Sequence, residues 1–273
     1  MSGASEEGLD PRSIARELDD LGALVGWPLS IALETASTND DARRAATAGA
    51  PHGAAFLADS QTRGRGRGSH VWHSPPGENL YLSLLLRPAV AASRIAPLAL
   101  CAGLAVARTV DAILAPGAPR PRIKWPNDVL VEGRKLAGVL VEAQLRGREV
   151  SSVVVGVGLN VATVRFPADL ATRATSLALL GAVSLSRSVL AARLLAELGR
   201  VAAAFQADGL GPFVAELTAR DALRGRAIEV GGVRGVGEGI DADGFLLVRD
   251  PAGVVHPVGS GEVRVVDPSG IGP

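Results

Sequence analysis

Residues 121–138 read PRIKWPNDVLVEGRKLAG, and this stretch decides the fold. Its apolar pieces, 121–125, 128–132 and the start of 135–145, are short and rich in branched residues, as strands are. Glu132-Gly133-Arg134 joins the second to the third, which predicts a hairpin. Outward from it, similar pieces occur at 29–34, 53–59, 79–87 and 151–161. Strands that succeed one another without crossover helices favour an α+β domain over a parallel doubly wound sheet. Helices are predicted at 38–48, capped by Ser37 or Thr38, and at 94–114. The expectation is a mixed sheet with flanking helices.

Before this region, residues 1–28 turn from polar to apolar in a helical rhythm (Ile14, Leu18, Leu21, Leu24, Val25). They are too few for a winged DNA-binding domain. After it, Ser186–Phe205 has helical periodicity and stops before Gly209, and a shorter helix follows Pro212. From Arg224 the character changes. Five β-prone pieces (AIEV, RGVGEGI, FLLVR, VVHPV, EVRVV) are separated by turn residues, which predicts a small barrel of about 45 residues. The expected domains are 1–222 and 223–273.

Composition narrows the function classes. Lys+Arg and Asp+Glu both total 28, so net charge is zero and no nucleic-acid or anionic-membrane surface is expected over the whole molecule. Cys101 is the single cysteine, which excludes an intramolecular disulfide or a cysteine metal cluster, and its apolar surroundings suggest a buried thiol. The N-terminus lacks a basic start and a hydrophobic signal core, and the apolar run Ile95–Ala107 falls short of a membrane span. A soluble, cytoplasmic protein is expected.

Two lysines stand among the 28 basic residues, and both lie in the deciding segment, as Lys124 and Lys135. Where arginine has replaced lysine elsewhere, the survivors mark positions at which a compact ammonium is not exchangeable for a guanidinium fork. The four asparagines (Asn39, Asn79, Asn127, Asn160) and the one tyrosine, Tyr81, also fall inside short motifs.

Those motifs carry a chemistry. Lys124-Trp125-Pro126-Asn127-Asp128 and Gly133-Arg134-Lys135-Leu136-Ala137-Gly138 place two cations, an amide and a carboxylate at adjacent strand ends. Activation of a carboxylic acid by ATP brings two anions together, and fixed cations offset that repulsion and stabilise charge on phosphorus. Asp128, with Asn127, could position Mg²⁺, which prefers oxygen ligands. The plainer alternative is a surface hairpin with solvated charges. Arg63–Gly68 alternates cation and glycine, which suits a loop closing on a carboxylate or phosphate; the alternatives are a solvated loop or an RNA contact, the latter disfavoured by the zero net charge and the brevity of the tract.

Taken together with Ser37-Thr38-Asn39, Gln61-Thr62, Pro76–Ser83 and Gly156-Val157-Gly158-Leu159-Asn160-Val161, in that order over about 125 residues, the motif set resembles the biotin–protein ligase family. The C-terminal pieces resemble its small SH3-like domain. The resemblance implies a catalytic domain related to class II aminoacyl-tRNA synthetases, and adenylation of biotin by MgATP. Transfer to a lysine of a biotin carboxyl carrier domain of acetyl-CoA carboxylase or a related carboxylase would follow, by a monomer or homodimer. It also implies roles. Ser37, Thr38, Asn39 and Gln61 would border the ureido end of biotin. Arg65, Gly66 and Arg67 would form the closing loop, and Lys135 would bind the biotin carboxylate and the α-phosphate as main catalytic cation. Gly138, Gly156 and Gly158 would admit the ligand against backbone. Trp72, Asn127 and Asn160 would contact the nucleotide, Asn160 at adenine.

One departure stands out. The family loop continues Gly-Arg-X-Trp after the second arginine and one more residue, whereas Ser69 and His70 stand here before Val71-Trp72. An imidazole thus replaces a permanent cation. Rivals remain: a lipoate or octanoate transferase of the same fold, a biotin-sensing repressor, and, from Gly156-Val157-Gly158, a dinucleotide-binding dehydrogenase, for which no helix opening follows.

Overall fold

The structure is a computed structural model that describes residues 8–68, 70–147, 149–182 and 185–266. A seven-stranded sheet forms its main body. The strands are β1 (Leu29–Thr35), β2 (Ala55–Gln61), β3 (Leu80–Leu86), β4 (Arg122–Lys124), β5 (Asp128–Val131), β6 (Arg134–Arg146) and β7 (Glu149–Leu159). Their order is β1-β2-β3-β7-β6-β5-β4. Only β1 and β2 run parallel; the other neighbours are antiparallel, so the sheet is mixed as expected. The deciding hairpin is β5–β6, and its turn carries the positive φ of Glu132 and Gly133.

Alternation along β7 explains how the two faces differ. Val153, Val155, Val157 and Leu159 belong to the main core. That core includes α1 (Pro11–Asp20), α3 (Leu98–Asp111) and α4 (Arg187–Asp208). Val154 packs instead with Ala42 and Ala46 of α2 (Thr38–Thr47), on the opposite face. Gly156 and Gly158 share the parity of Val154 and lie on that face beyond the helix. A half-buried face with two missing side chains leaves a hollow, and the site forms there.

Cys101 is buried within α3, and burial pushes its thiol far above the ordinary range, which makes it a poor nucleophile. Ala92–Asp111 is long and apolar enough to cross a membrane, longer than the run expected to fall short. Yet 72% of its most apolar window is buried inside this domain. After α5 (Val214–Arg220), the C-terminal strands β8 (Ala227–Val230), β9 (Val233–Ile240), β10 (Leu246–Arg249), β11 (Val255–Val258) and β12 (Arg264–Val265) make a second antiparallel sheet. Its order is β11-β10-β9-β8-β12. The end strands do not pair among the described residues, so the expected barrel is an open one.

Candidate functional site: a cavity on the glycine face

A cavity of about 450 Å³ lies over Gly138, Gly156 and Gly158, between the N-terminus of α2, the 62–72 loop and the edge of the C-terminal sheet. Ser37, Thr38, Asn39 and Gln61 line one end; Asn127, Asp128 and Lys135 line the other; Arg65, Gly66, Arg67 and Trp72 cover it. Of the expected site residues, only Asn160 is missing from the lining.

The polar end is built by a helix that is capped in an unusual way. Ser37 occupies the N-cap of α2, but its side chain makes no capping bond. The Gln61 side chain takes over, accepting from the Thr38 backbone N–H at 2.9 Å through Oε1. The Ser37 hydroxyl is thereby left for the cavity. Gln61 is itself held by donation from Nε2 to Ser74 Oγ at 3.1 Å. The Asn39 carboxamide donates through Nδ2 to Glu142 Oε2 at 2.8 Å, and its Oδ1 accepts from Ser83 Oγ at 2.6 Å. All of Ser37, Thr38, Asn39 and Ser83 are buried. This end therefore presents fixed hydroxyl and amide groups to whatever enters, which is what a small cyclic urea requires. Ser83, Glu142 and Asp40 are not among the expected site residues; Ser83 closes the Pro76–Ser83 motif, and nothing in the local spacing of the two acids marks them.

The opposite end carries the charge. Lys135 Nζ pairs with Asp128 Oδ1 at 2.7 Å and stands 5.2 Å from the Trp72 ring centroid, a cation–π contact. The Trp72 indole lies against the backbone of Gly158 so closely that a Cβ there would come within 2.3 Å of its Cε2. Trp72 Nε1 is buried without a hydrogen-bond partner among the described residues. Asn127 donates through Nδ2 to Val139 O at 2.6 Å, which locks the β5–β6 hairpin beside Lys135. Arg173 also lines the cavity, and its carbonyl accepts from the Lys135 backbone N–H at 2.7 Å. No sequence pattern marked it.

Asn160 lies beside the cavity lining rather than in it. Its Nδ2 donates to Thr175 O at 2.9 Å and to Lys135 O at 3.4 Å. Those bonds hold the segment after residue 165 against β6, so the amide is used by the protein's own backbone.

The Gly/Arg loop is a tight turn with its own bonds. Arg65 bridges to Val71 in antiparallel fashion, Gly66 N donates to His70 O at 2.7 Å, and Trp72 N donates to Gly64 O at 2.9 Å. Arg65 Nη2 reaches Asp40 Oδ1 at 2.7 Å and Glu142 Oε2 at 3.2 Å. Arg67 Nη1 donates to Gly261 O at 3.4 Å. His70, at the departure from the family loop, has Nδ1 2.9 Å from Arg67 O.

The C-terminal sheet completes the wall. Gly261, Glu262 and Val263 line the cavity, and Trp125, buried beside Lys124, donates through Nε1 to Gly244 O at 2.9 Å. Packing of Trp125 argues against the solvated-hairpin alternative.

Comparison with known proteins agrees with this arrangement. Residues 35–160 match the Biotin/lipoate A/B protein ligase family, and residues 225–266 match the Biotin protein ligase C terminal domain. The biotin–[acetyl-CoA-carboxylase] ligase of Mycobacterium tuberculosis is 37% identical over 264 residues, covering 93% of this chain and 95% of that protein. The bifunctional ligase/repressor BirA of Escherichia coli is 33% identical over 217 residues, 78% of this chain. That alignment spans 66% of BirA. Among solved structures, the biotin protein ligase of Aquifex aeolicus in complex with biotin and ATP superposes with a TM-score of 0.74 at 27% identity, covering 88% of this chain and all of that one. The ordered motifs, the cavity they share and these likenesses agree: this chain belongs to the biotin/lipoate A/B protein ligase family, among its biotin protein ligases.

Proposed function

We propose that the chain activates biotin with ATP and transfers it to a lysine of a biotin carboxyl carrier domain of acetyl-CoA carboxylase or a related carboxylase. One observation carries this reading above the others: a single cavity has fixed hydroxyls and amides at one end and a lysine ammonium at the other. Biotin has a cyclic urea at one end and a carboxylate at the other, and this polarity matches it. A lipoate or octanoate ligase would be better served by an apolar slot where Ser37, Thr38, Asn39 and Gln61 stand.

In the first step a biotin carboxylate oxygen attacks the α-phosphorus of ATP, and pyrophosphate leaves. Lys135, now paired with Asp128, would draw both anions together by exchanging that bond for bonds to substrate oxygens. Arg65 and Arg67, on the covering loop, add cationic donors nearby, and Trp72 offers a flat face to the nucleotide. In the second step a neutral lysine amine of the carrier attacks the acyl carbon of the anhydride, and AMP departs. We assign residues 1–222 to the catalytic unit and 223–273 to the C-terminal one, and assign Asn160 to the adenine end of the nucleotide.

Magnesium fits as a companion of ATP. No group of three His, Cys, Asp or Glu residues that could cage an ion occurs among the described residues, and Asp128, with Asn127 beside it, offers one protein carboxylate. Mg²⁺ commonly keeps several waters and is bound through one or two carboxylates plus substrate phosphates. Because ATP is a cytoplasmic substrate, we place the protein in the cytoplasm, as a monomer or homodimer. The experiment is pyrophosphate release with biotin, lipoate and octanoate side by side. Strong preference for biotin is expected; release with lipoate or octanoate but not biotin would replace this reading by its rival.

A further inference from the structure

Glu142 lies on β6, on the cavity face beyond Leu140, and its side chain is 24% exposed. One of its oxygens, Oε2, accepts from two donors that belong to different parts of the site. Asn39 Nδ2 is 2.8 Å away, and Arg65 Nη2 is 3.2 Å away. Arg65 is also bound by Asp40 Oδ1 at 2.7 Å, and Arg43 Nη1 stands 3.7 Å from both Asp40 and Glu142. Two acids and two arginines therefore meet where the N-terminal turn of α2, the Gly/Arg loop and β6 converge.

A carboxylate only accepts hydrogen bonds, whereas a carboxamide has one accepting and one donating end. Glu142 is the nearer of two acceptors that set which way Asn39 faces, the other being the Leu140 carbonyl at 3.4 Å: the NH₂ turns to β6, and Oδ1 turns toward Ser83, across the backbone of Gly156. A cyclic urea has two N–H donors and one carbonyl acceptor. Whether Asn39 offers an acceptor or a donor to the cavity thus decides whether it meets a urea N–H or the urea carbonyl, and so the pose in which the urea is held. The same carboxylate oxygen anchors the first arginine of the covering loop.

We propose that Glu142 is a positioning residue that sets the acceptor orientation of Asn39 and, through Arg65, ties the Gly/Arg loop to that setting. This rests on the reading that the cavity takes biotin. Urea recognition and loop closure then share one side chain 77 residues from the loop in sequence. Because Asp40 also holds Arg65, loss of Glu142 loosens the loop without freeing it.

The test is a double-mutant cycle on pyrophosphate release. Glu142→Gln is nearly isosteric, but its amide can donate to Asn39 and permit the carboxamide to turn. KM for biotin should rise about tenfold, with KM for ATP little changed. Trypsin cleavage at Arg63–Arg67 should quicken. In an Asn39→Ala background the same substitution should no longer change KM for biotin, while the faster cleavage persists. A merely structural role would raise KM equally in both backgrounds, and that result overturns the proposal. Glu142→Asp keeps an acceptor at shorter reach and should give an intermediate KM; a KM as high as that of Glu142→Gln also overturns it. If Glu142→Gln does not fold, the cycle is run with Glu142→Asp on the same criterion. Wild-type protein that releases no pyrophosphate with biotin overturns the functional reading and this proposal together, whereas active wild type with additive variants overturns the proposal alone.

Discussion

The Asn39 carboxamide lies across the backbone of Gly156, so that a Cβ added to the glycine would fall 2.0 Å from Asn39 Oδ1. Neither can move freely: Asn39 is held by Glu142 and Ser83, and Gly156 is paired in the sheet with Leu140 and Ser83. Gly156→Ala should therefore displace the amide rather than unfold the protein. Loss of one or two well-made hydrogen bonds predicts roughly ten- to a hundredfold weaker biotin binding. Titration calorimetry with biotin, beside thermal unfolding of the same variant, checks this; unchanged affinity would remove Asn39 from the ligand.

Lys135 is only partly buried, and its contacts are to Asp128 and the Trp72 face rather than to the core. Lys135→Ala should leave the far-UV spectrum unchanged and abolish biotin-dependent pyrophosphate release. Lys135→Arg should also be severely impaired, because a planar fork cannot take the place of a compact ammonium between two anions. Wild-type-like release from either variant contradicts the role.

Arg65 latches the covering loop to Asp40. Asp40→Asn should weaken that latch and speed proteolysis between Arg63 and Arg67, by a few-fold, since exposed ion pairs contribute only about 0.2–1 kcal/mol. Biotin with ATP should slow cleavage in the wild-type protein. Equal cleavage rates with and without ligand would count against a closing loop.

Removal of residues 223–273 takes away Gly261, Glu262 and Val263 from the cavity and the acceptor of the Trp125 indole. The truncated protein should retain biotin binding, because the residues proposed to contact biotin lie before residue 162, yet lose roughly tenfold or more in adenylation or transfer. Full-rate biotinylation of a carrier domain by a folded truncation would show the C-terminal sheet to be dispensable.

Arg67 links the loop to Gly261 O. The adenylate of the proposed reaction is a mixed anhydride, reactive toward water and amines, and on that reading this cover would retain it. Arg67→Gly should still form adenylate but release it, labelling an added bystander protein on exposed lysines. A charge-assisted bond of about 1.5–3 kcal/mol corresponds to roughly ten- to a hundredfold faster escape. Normal adenylation with labelling confined to the carrier domain would refute shielding by Arg67.

Much of the fold was legible because its signals are local. The β5–β6 hairpin is announced by Glu132-Gly133-Arg134 between two apolar runs, and the structure turns there. The two-residue period of β7 separates core valines from cavity glycines, and that separation follows from the pleat alone. The end of α4 at Gly209 follows likewise from a positive φ. Several of the ordered motifs were legible for a different reason: they hold the lysines, asparagines and tyrosine that are scarce in the rest of the chain.

What the sequence by itself determined, then, is the set of elements, the glycine face, and which polar residues converge on it. The tertiary structure decided which of those groups remain available to a ligand. Ser37 is left unused because Gln61, 23 residues on from Thr38, caps the helix instead. Asn160 is used by Thr175 and Lys135, Arg65 is held by Asp40 and Glu142, and Trp72 rests on Gly158. Hydrogen-bond partners for a buried amide or guanidinium are chosen by distances between strands and loops far apart in the chain. Periodicity and turn chemistry act over a few residues and carry no information about those distances.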